Sequence, residues 1–184
     1  MRSIDDLPVF EDVDDNSTVI DYGTEAQIFL ITPGLVAKVY RNLFWINEED
    51  KRLRGDELFS PETIRYAQRE LTISEGLYAS GVSVPKPEGL FALSFPRLGL
   101  PRIPAFVMQY VDGKDWSYFS GEQQKRVERA FDVEIAKART AGFIPADDAL
   151  SDWNVLYTVN NDKIKAVLFD FGGWKERRGG LSLR

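Results

Sequence analysis

The stretch from Asp147 to Gly173 reads DDALSDWNVLYTVNNDKIKAVLFDFGG. Its pattern predicts a polar loop ending in Asn154, a strand, a turn, a second strand, and then Asp170-Phe171-Gly172. An Asn amide leaving a polar turn and an Asp at the end of an apolar strand, sixteen residues later, put two hard oxygen ligands at one mouth. Such a pair suits Mg²⁺. The plainer reading of the same residues is an ordinary β-hairpin turning at Asn160-Asn161-Asp162, with Phe169 and Phe171 in the core and Asp170 at a strand end by chance.

Upstream of this stretch, Gly121 to Ala141 has helical periodicity, with Val127, Ala130, Phe131, Val133, Ile135 and Ala136 as the expected buried set and Gly142 as its stop. Asp112-Gly113-Lys114 has the composition of a linker. Before it, Gly89 to Leu93 and Ala105 to Val111 read as strands, preceded by Val82 to Pro87 (VSVPKP), which its two prolines hold extended. A helix is predicted from Pro61 to Ser80: Ser60 is a good N-cap, Pro61 fits the first helical position, and Gly81 ends it. Arg41 to Phe59 is charged and irregular and is read as a helical insert.

Within the Pro61 helix, Ala67, Ile73, Ser74 and Leu77 lie three, three, four and seven residues from Glu70. That spacing sets Glu70 in the inward arc, and a buried carboxylate needs a cation. Glu75 is the second choice on this helix, and a surface glutamate is the plainer alternative. The cation offered is Lys38, alone among the apolar residues of Leu35-Val36-Ala37-Lys38-Val39-Tyr40. Strand lysines usually mark exposed edges, so Lys38 either lies on an edge or points under the Gly23 turn toward a phosphate. Thr18 to Ile20, Ile28 to Ile31 and Leu35 to Tyr40 form an antiparallel meander, with turns at Asp21 to Gln27 and at Thr32-Pro33-Gly34. Residues 1–17 are an acidic, loosely packed extension with room for one short helix, where only Leu7, Val9, Phe10 and Val13 are able to dock.

The chain has 184 residues, 43% of them hydrophobic, enough for one domain or two small lobes. No cysteine or histidine is present. Disulfides, thiolate or imidazole metal sites and Ser-His or Cys-His nucleophile pairs are therefore excluded. Any chemistry runs on carboxylates, lysine, hydroxyls and amides. No apolar run approaches a membrane span, and six carboxylates in residues 1–16 are the reverse of a signal peptide, so a soluble cytoplasmic protein is expected. A net charge of −6 argues against direct nucleic-acid binding, although Lys175, Arg177, Arg178 and Arg184 make the tail, residues 174–184, locally basic.

The order of these parts resembles the protein kinase fold, and more narrowly the atypical RIO-type Ser/Thr kinases. The resemblance covers about residues 18–173. It rests on Gly23-Thr24-Glu25-Ala26-Gln27, Val36-Ala37-Lys38-Val39-Tyr40, Arg69-Glu70-Leu71, Gly81 to Pro87, Val107-Met108-Gln109-Tyr110-Val111 and Leu150 to Leu156. It implies an α+β, bilobal fold: a small antiparallel N-lobe sheet with one helix over 18–111, and a minimal, truncated C-lobe over 112–173. It also implies ATP and Mg²⁺ as cofactors and a protein substrate or partner. By position, Gly23, Thr24, Glu25, Ala26 and Gln27 would cover the triphosphate; Lys38, held by Glu70, would pair the α/β-phosphates; and Asn154 and Asp170 would bind Mg²⁺. Met108 would back the adenine pocket, with the Gln109 carbonyl and the Val111 amide as its hydrogen-bonding edge.

Two departures stand out. The family places its catalytic Asp five residues before the metal-binding Asn, and Ala149 occupies that position here; Asp147 stands where a histidine is usual. A methyl group cannot accept the substrate's proton. Three accounts are open: an engineered inactivating change, a natural pseudokinase, or a loop in which Asp148 or Asp152 takes over. The functions that follow are a RIO-like kinase or ATPase weakened at Ala149, a nucleotide-binding switch without catalysis, and a small-molecule kinase on the same fold.

Overall fold

Strand Leu35–Tyr40 is apolar at nearly every position because both of its faces are covered. Val36 and Tyr40 join a cluster with Ile64, Ala67 and Leu71, whereas Ala37 and Val39 join one on the opposite face with Ile31, Ala105 and Val107. Strand alternation places Lys38 on the same face as Val36 and Tyr40. The structure is a computed structural model, and it describes residues 4–10, 18–22, 26–40, 61–94, 102–145 and 154–177.

The strands are β1 (Val9–Phe10), β2 (Thr18–Tyr22), β3 (Ala26–Thr32), β4 (Leu35–Tyr40), β5 (Pro87–Leu93), β6 (Ile103–Gln109), β7 (Phe143–Ile144), β8 (Val155–Asn160), β9 (Lys163–Leu168) and β10 (Lys175–Glu176); the helices are α1 (Pro61–Ala79) and α2 (Glu122–Thr140). The described residues form two compact units. One holds residues to Leu71 together with Pro87–Tyr110, and the other holds Thr72–Lys86 and the residues from Val111 onward.

The first unit is a six-stranded sheet in the order β1-β5-β6-β4-β3-β2. The five expected strands pair antiparallel, and the sixth comes from the acidic N-terminus, where β1 pairs parallel with β5 through Val9↔Ala92 and Phe10↔Leu93. That segment is docked rather than loose: a 3₁₀ turn at Ile4–Asp6 precedes a buried Leu7, and Phe10 meets Phe91 edge-on. Gly34, at φ +92°, closes the β3–β4 turn. The β2–β3 turn is tighter than Asp21 to Gln27, because Asp21 pairs with Ile28 and Tyr22 with Gln27. The segments 41–59 and 23–25 and the N-cap Ser60 lie outside the described residues.

The end of α1 follows from Gly81. At φ +76° it donates to the Tyr78 carbonyl while Val82 donates to the Leu77 carbonyl, the paired pattern that closes a helix on a left-handed residue. In the second unit, α2 packs on the β8–β9 hairpin around Val127, Ile135, Ala138, Tyr157, Ala166 and Leu168. Its buried stripe differs from the expected set: Val133 is 52% exposed and Ala136 is exposed, whereas Glu134 and Ala138 are inside. The stripe runs 127, 130, 131, 134, 135, 138, the ordinary three-four spacing with a carboxylate in it. The β8–β9 turn is made by Asn161 and Asp162, at φ +47° and +59°, a left-handed pair that Asn and Asp tolerate.

Candidate functional site

In the first unit, Lys38 and Glu70 meet. Lys38 Nζ donates to Glu70 Oε1 at 2.9 Å and to Oε2 at 3.0 Å, with the lysine 7% and the glutamate 1% exposed. The parity of β4 aims the lysine at α1, where Glu70 lies buried beside Ala67 and Leu71 on the same helix. Glu75, the second choice, is exposed. A third group belongs to this cluster and was not singled out in the sequence. The Tyr40 hydroxyl donates to Glu70 Oε2 at 2.5 Å, and Lys38 Nζ lies 5.3 Å from the Tyr40 ring centroid. The available signal was spacing: Tyr40 is two residues from Lys38 and therefore on the same face of the strand.

Of the residues expected to cover a phosphate, Ala26 is buried and Gln27 half-buried in β3, whereas Gly23, Thr24 and Glu25 lie outside the described residues. Met108 is buried in β6 among Val36, Ala67 and Leu90, and Gln109 is exposed at the strand's end. Tyr110, just after it, donates its backbone N–H to the Gly34 carbonyl at 2.8 Å.

In the second unit, Asn154 and Asp170 stand at the same end of the β8–β9 hairpin. Val155 pairs with Leu168, and Phe169 donates its N–H to the Asn154 carbonyl at 3.0 Å. Both side chains are half-buried. Asp170 holds φ +60°, a left-handed conformation uncommon outside glycine and concentrated at functional sites. Val111 is half-buried in this unit. Asp148, Ala149 and Asp152 lie outside the described residues. Among the described residues, no three carboxylates gather as a metal cluster.

A strand lysine held by a helix carboxylate, in a sheet followed by an α-helix and a hairpin ending in Asp-Phe-Gly, is the order of a protein kinase. The comparison with solved structures agrees. The crystal structure of the Rio2 kinase-ADP/Mg²⁺-phosphoaspartate complex from Chaetomium thermophilum matches with TM-score 0.57 and 18% identity over 89% of this chain. The fold is protein kinase-like. A second structure, of WbdD, matches with TM-score 0.55 and 15% identity over 93% of this chain. The chain spans 49% of the Rio2 structure's length and 36% of that of WbdD. No protein-family model and no curated protein matches the sequence. Among the described residues, no helix is long and apolar enough to cross a membrane.

Proposed function

We propose that this chain binds Mg-ATP and belongs functionally with the RIO-type Ser/Thr kinases or ATPases, with phosphoryl transfer weakened by Ala149. The observation that carries this reading is the buried Lys38–Glu70 pair. Removing two charges from water is costly, and an apolar pair of similar volume would serve the core as well or better. A lysine kept there by a carboxylate has a use if it meets a phosphate, and the RIO-type fold is one whose solved example carries ADP and Mg²⁺.

The oxygen donors of Asn154 and Asp170 are hard ligands of the kind that suits Mg²⁺, which keeps several waters and takes substrate phosphates. When bound, Mg²⁺ neutralises charge on the phosphate oxygens. The chain's own residues do the rest. Lys38 offers its ammonium to the α/β-phosphates, and Glu70 holds that ammonium in place. Gly23 to Gln27 cover the triphosphate, Met108 backs the base, and the Gln109 carbonyl and Val111 amide bond its edge. Asn154 and Asp170 supply carbonyl and carboxylate oxygens. With a methyl at position 149, the hydroxyl of a protein substrate lacks its proton acceptor unless Asp148 or Asp152 stands in.

Ala149 also favours a second reading, in which Mg-ATP binds without turnover and a partner reads the loaded state. A small-molecule kinase on the same fold ranks below both. The test is release or transfer of the γ-phosphate by this chain and by Ala149→Asp under identical conditions. A rise of about two to four orders of magnitude, the usual worth of a positioned general base, supports the kinase reading. Mg-ATP binding with no turnover in either form supports the switch, and no binding in either form overturns both.

A further inference from the structure

We propose that Tyr40 is a positioning residue of the Lys38 site, setting how readily Lys38 is released from Glu70 to a nucleotide phosphate; this rests on the Mg-ATP reading above. Glu70 Oε2 accepts from both Lys38 Nζ and the Tyr40 hydroxyl, whereas Oε1 accepts from Lys38. The phenol thus does two things at once. Its hydroxyl donates a neutral hydrogen bond to a carboxylate that is 1% exposed, and its ring lies 5.3 Å from the lysine's ammonium. Tyr40 is itself 3% exposed and is fixed by the edge-on ring of Tyr66, one helical turn before Glu70.

When the ammonium turns some of its N–H bonds toward a phosphate, the buried carboxylate keeps a strong donor, and the cost of sharing the lysine falls. With the hydroxyl gone, Glu70 leans harder on Lys38, and each bond turned to a phosphate leaves more of a buried charge unsolvated. A phenylalanine would fill nearly the same volume, so packing alone gives no reason for the hydroxyl.

The experiment is titration of Mg-ATP into the parent chain, Tyr40→Phe, Lys38→Met and the double variant, with thermal unfolding of each. The ¹³C carboxyl resonance of Glu70 is recorded without nucleotide. Tyr40→Phe is expected to weaken Mg-ATP binding about tenfold, the order of one hydrogen bond to a charged group, and to move the Glu70 resonance. In the Lys38→Met background, the same change is expected to weaken binding less than about twofold, because the two residues act as one unit. Equal binding by the parent chain and Tyr40→Phe overturns the proposal alone, as does equal weakening in both backgrounds. A parent chain that does not bind Mg-ATP overturns the nucleotide reading and this proposal with it. If Tyr40→Phe folds poorly, replacement of Tyr40 by 3-fluorotyrosine changes the acidity of the hydroxyl with little change in bulk. An altered affinity then supports the proposal, and an unaltered one overturns it.

Discussion

The carboxylate of Glu134 accepts a 2.7 Å hydrogen bond from the backbone N–H of Ser83, 51 residues earlier in the chain. Ser83 in turn accepts a 2.9 Å bond from the N–H of Leu168, two residues before Asp170. One buried side chain therefore ties α2 to the segment after α1, and the Ser83 carbonyl ties that segment to the end of β9, two residues before Asp170. Glu134→Ala leaves the Ser83 N–H buried without this acceptor and is expected to cost about 1–3 kcal/mol. Glu134→Gln keeps an acceptor and gives up the bond from the half-exposed Lys137, and it should lie within about 1 kcal/mol of the parent chain. Urea unfolding of the three proteins decides it, and a neutral Glu134→Ala would sink the account.

Lys38→Met removes the cation from a buried carboxylate. The expected loss is about 3 kcal/mol or more, because breaking a buried pair from one side leaves an uncompensated charge. Lys38→Met combined with Glu70→Leu should recover much of it. Chemical denaturation of the single and double variants measures the coupling, and simple additivity of the two losses would show that the pair is not a unit.

Gly76 sits inside α1, where alanine ordinarily gains up to about 1 kcal/mol. A Cβ there would lie 2.4 Å from Cζ of Phe143, a ring that is 7% exposed and has little room to swing aside. Overpacking of this kind costs about 1–3 kcal/mol, so the clash wins and Gly76→Ala should lower the melting temperature. Phe143→Leu in the same background should restore part of the loss. A more stable Gly76→Ala would mean that α1 and β7 are not in close contact.

Asp170→Asn tests whether its left-handed backbone serves the fold or the site. Asparagine tolerates φ +60° as aspartate does, so unfolding of the free chain should change by less than about 0.5 kcal/mol. Any rise in melting temperature that depends on Mg²⁺ together with ATP should disappear. Retention of that rise would remove Asp170 from the proposed site.

Asp115 caps the short 3₁₀ turn Trp116–Tyr118. The Ser117 hydroxyl, followed by the Ser117 backbone N–H, holds its carboxyl below the ordinary value of 3.8. A depressed carboxylate stabilises the fold above the unfolded-state value, and this contribution fades as the pH falls through the folded-state value. The stability gap between the parent chain and Asp115→Ala should accordingly be full at neutral pH and narrow in acid below 3.8. A gap independent of pH in thermal melts would rule out the cap as a charged acceptor.

Local patterns read correctly wherever a residue's neighbours in sequence determine its setting. Gly81 ends α1 because no other residue adopts φ +76° as cheaply, and Asn161-Asp162 form the hairpin turn for a related reason. The burial of Glu70 was legible from its spacing to Ala67, Ile73, Ser74 and Leu77, and with it the need for a cation. Where local pattern failed, a long-range partner had the deciding role. An apolar-only reading of α2 passed over Glu134, because nothing near it in sequence shows that Ser83 has an N–H to satisfy. It kept Val133, which is exposed.

Periodicity and turn chemistry by themselves determined β2 to β6, β8 and β9, the two long helices, their stops and the inward side of Glu70. These depend on backbone geometry repeated over a few residues, whereas the two-residue strands β7 and β10 are too short to leave such a pattern. Only the tertiary structure decided that the N-terminus adds a parallel strand to the sheet, that Glu134 belongs in the core, and that Tyr40 shares Glu70 with Lys38. Those outcomes depend on which distant hydrogen-bonding group is left to be satisfied, and a buried polar group is settled by the partner it finds in space.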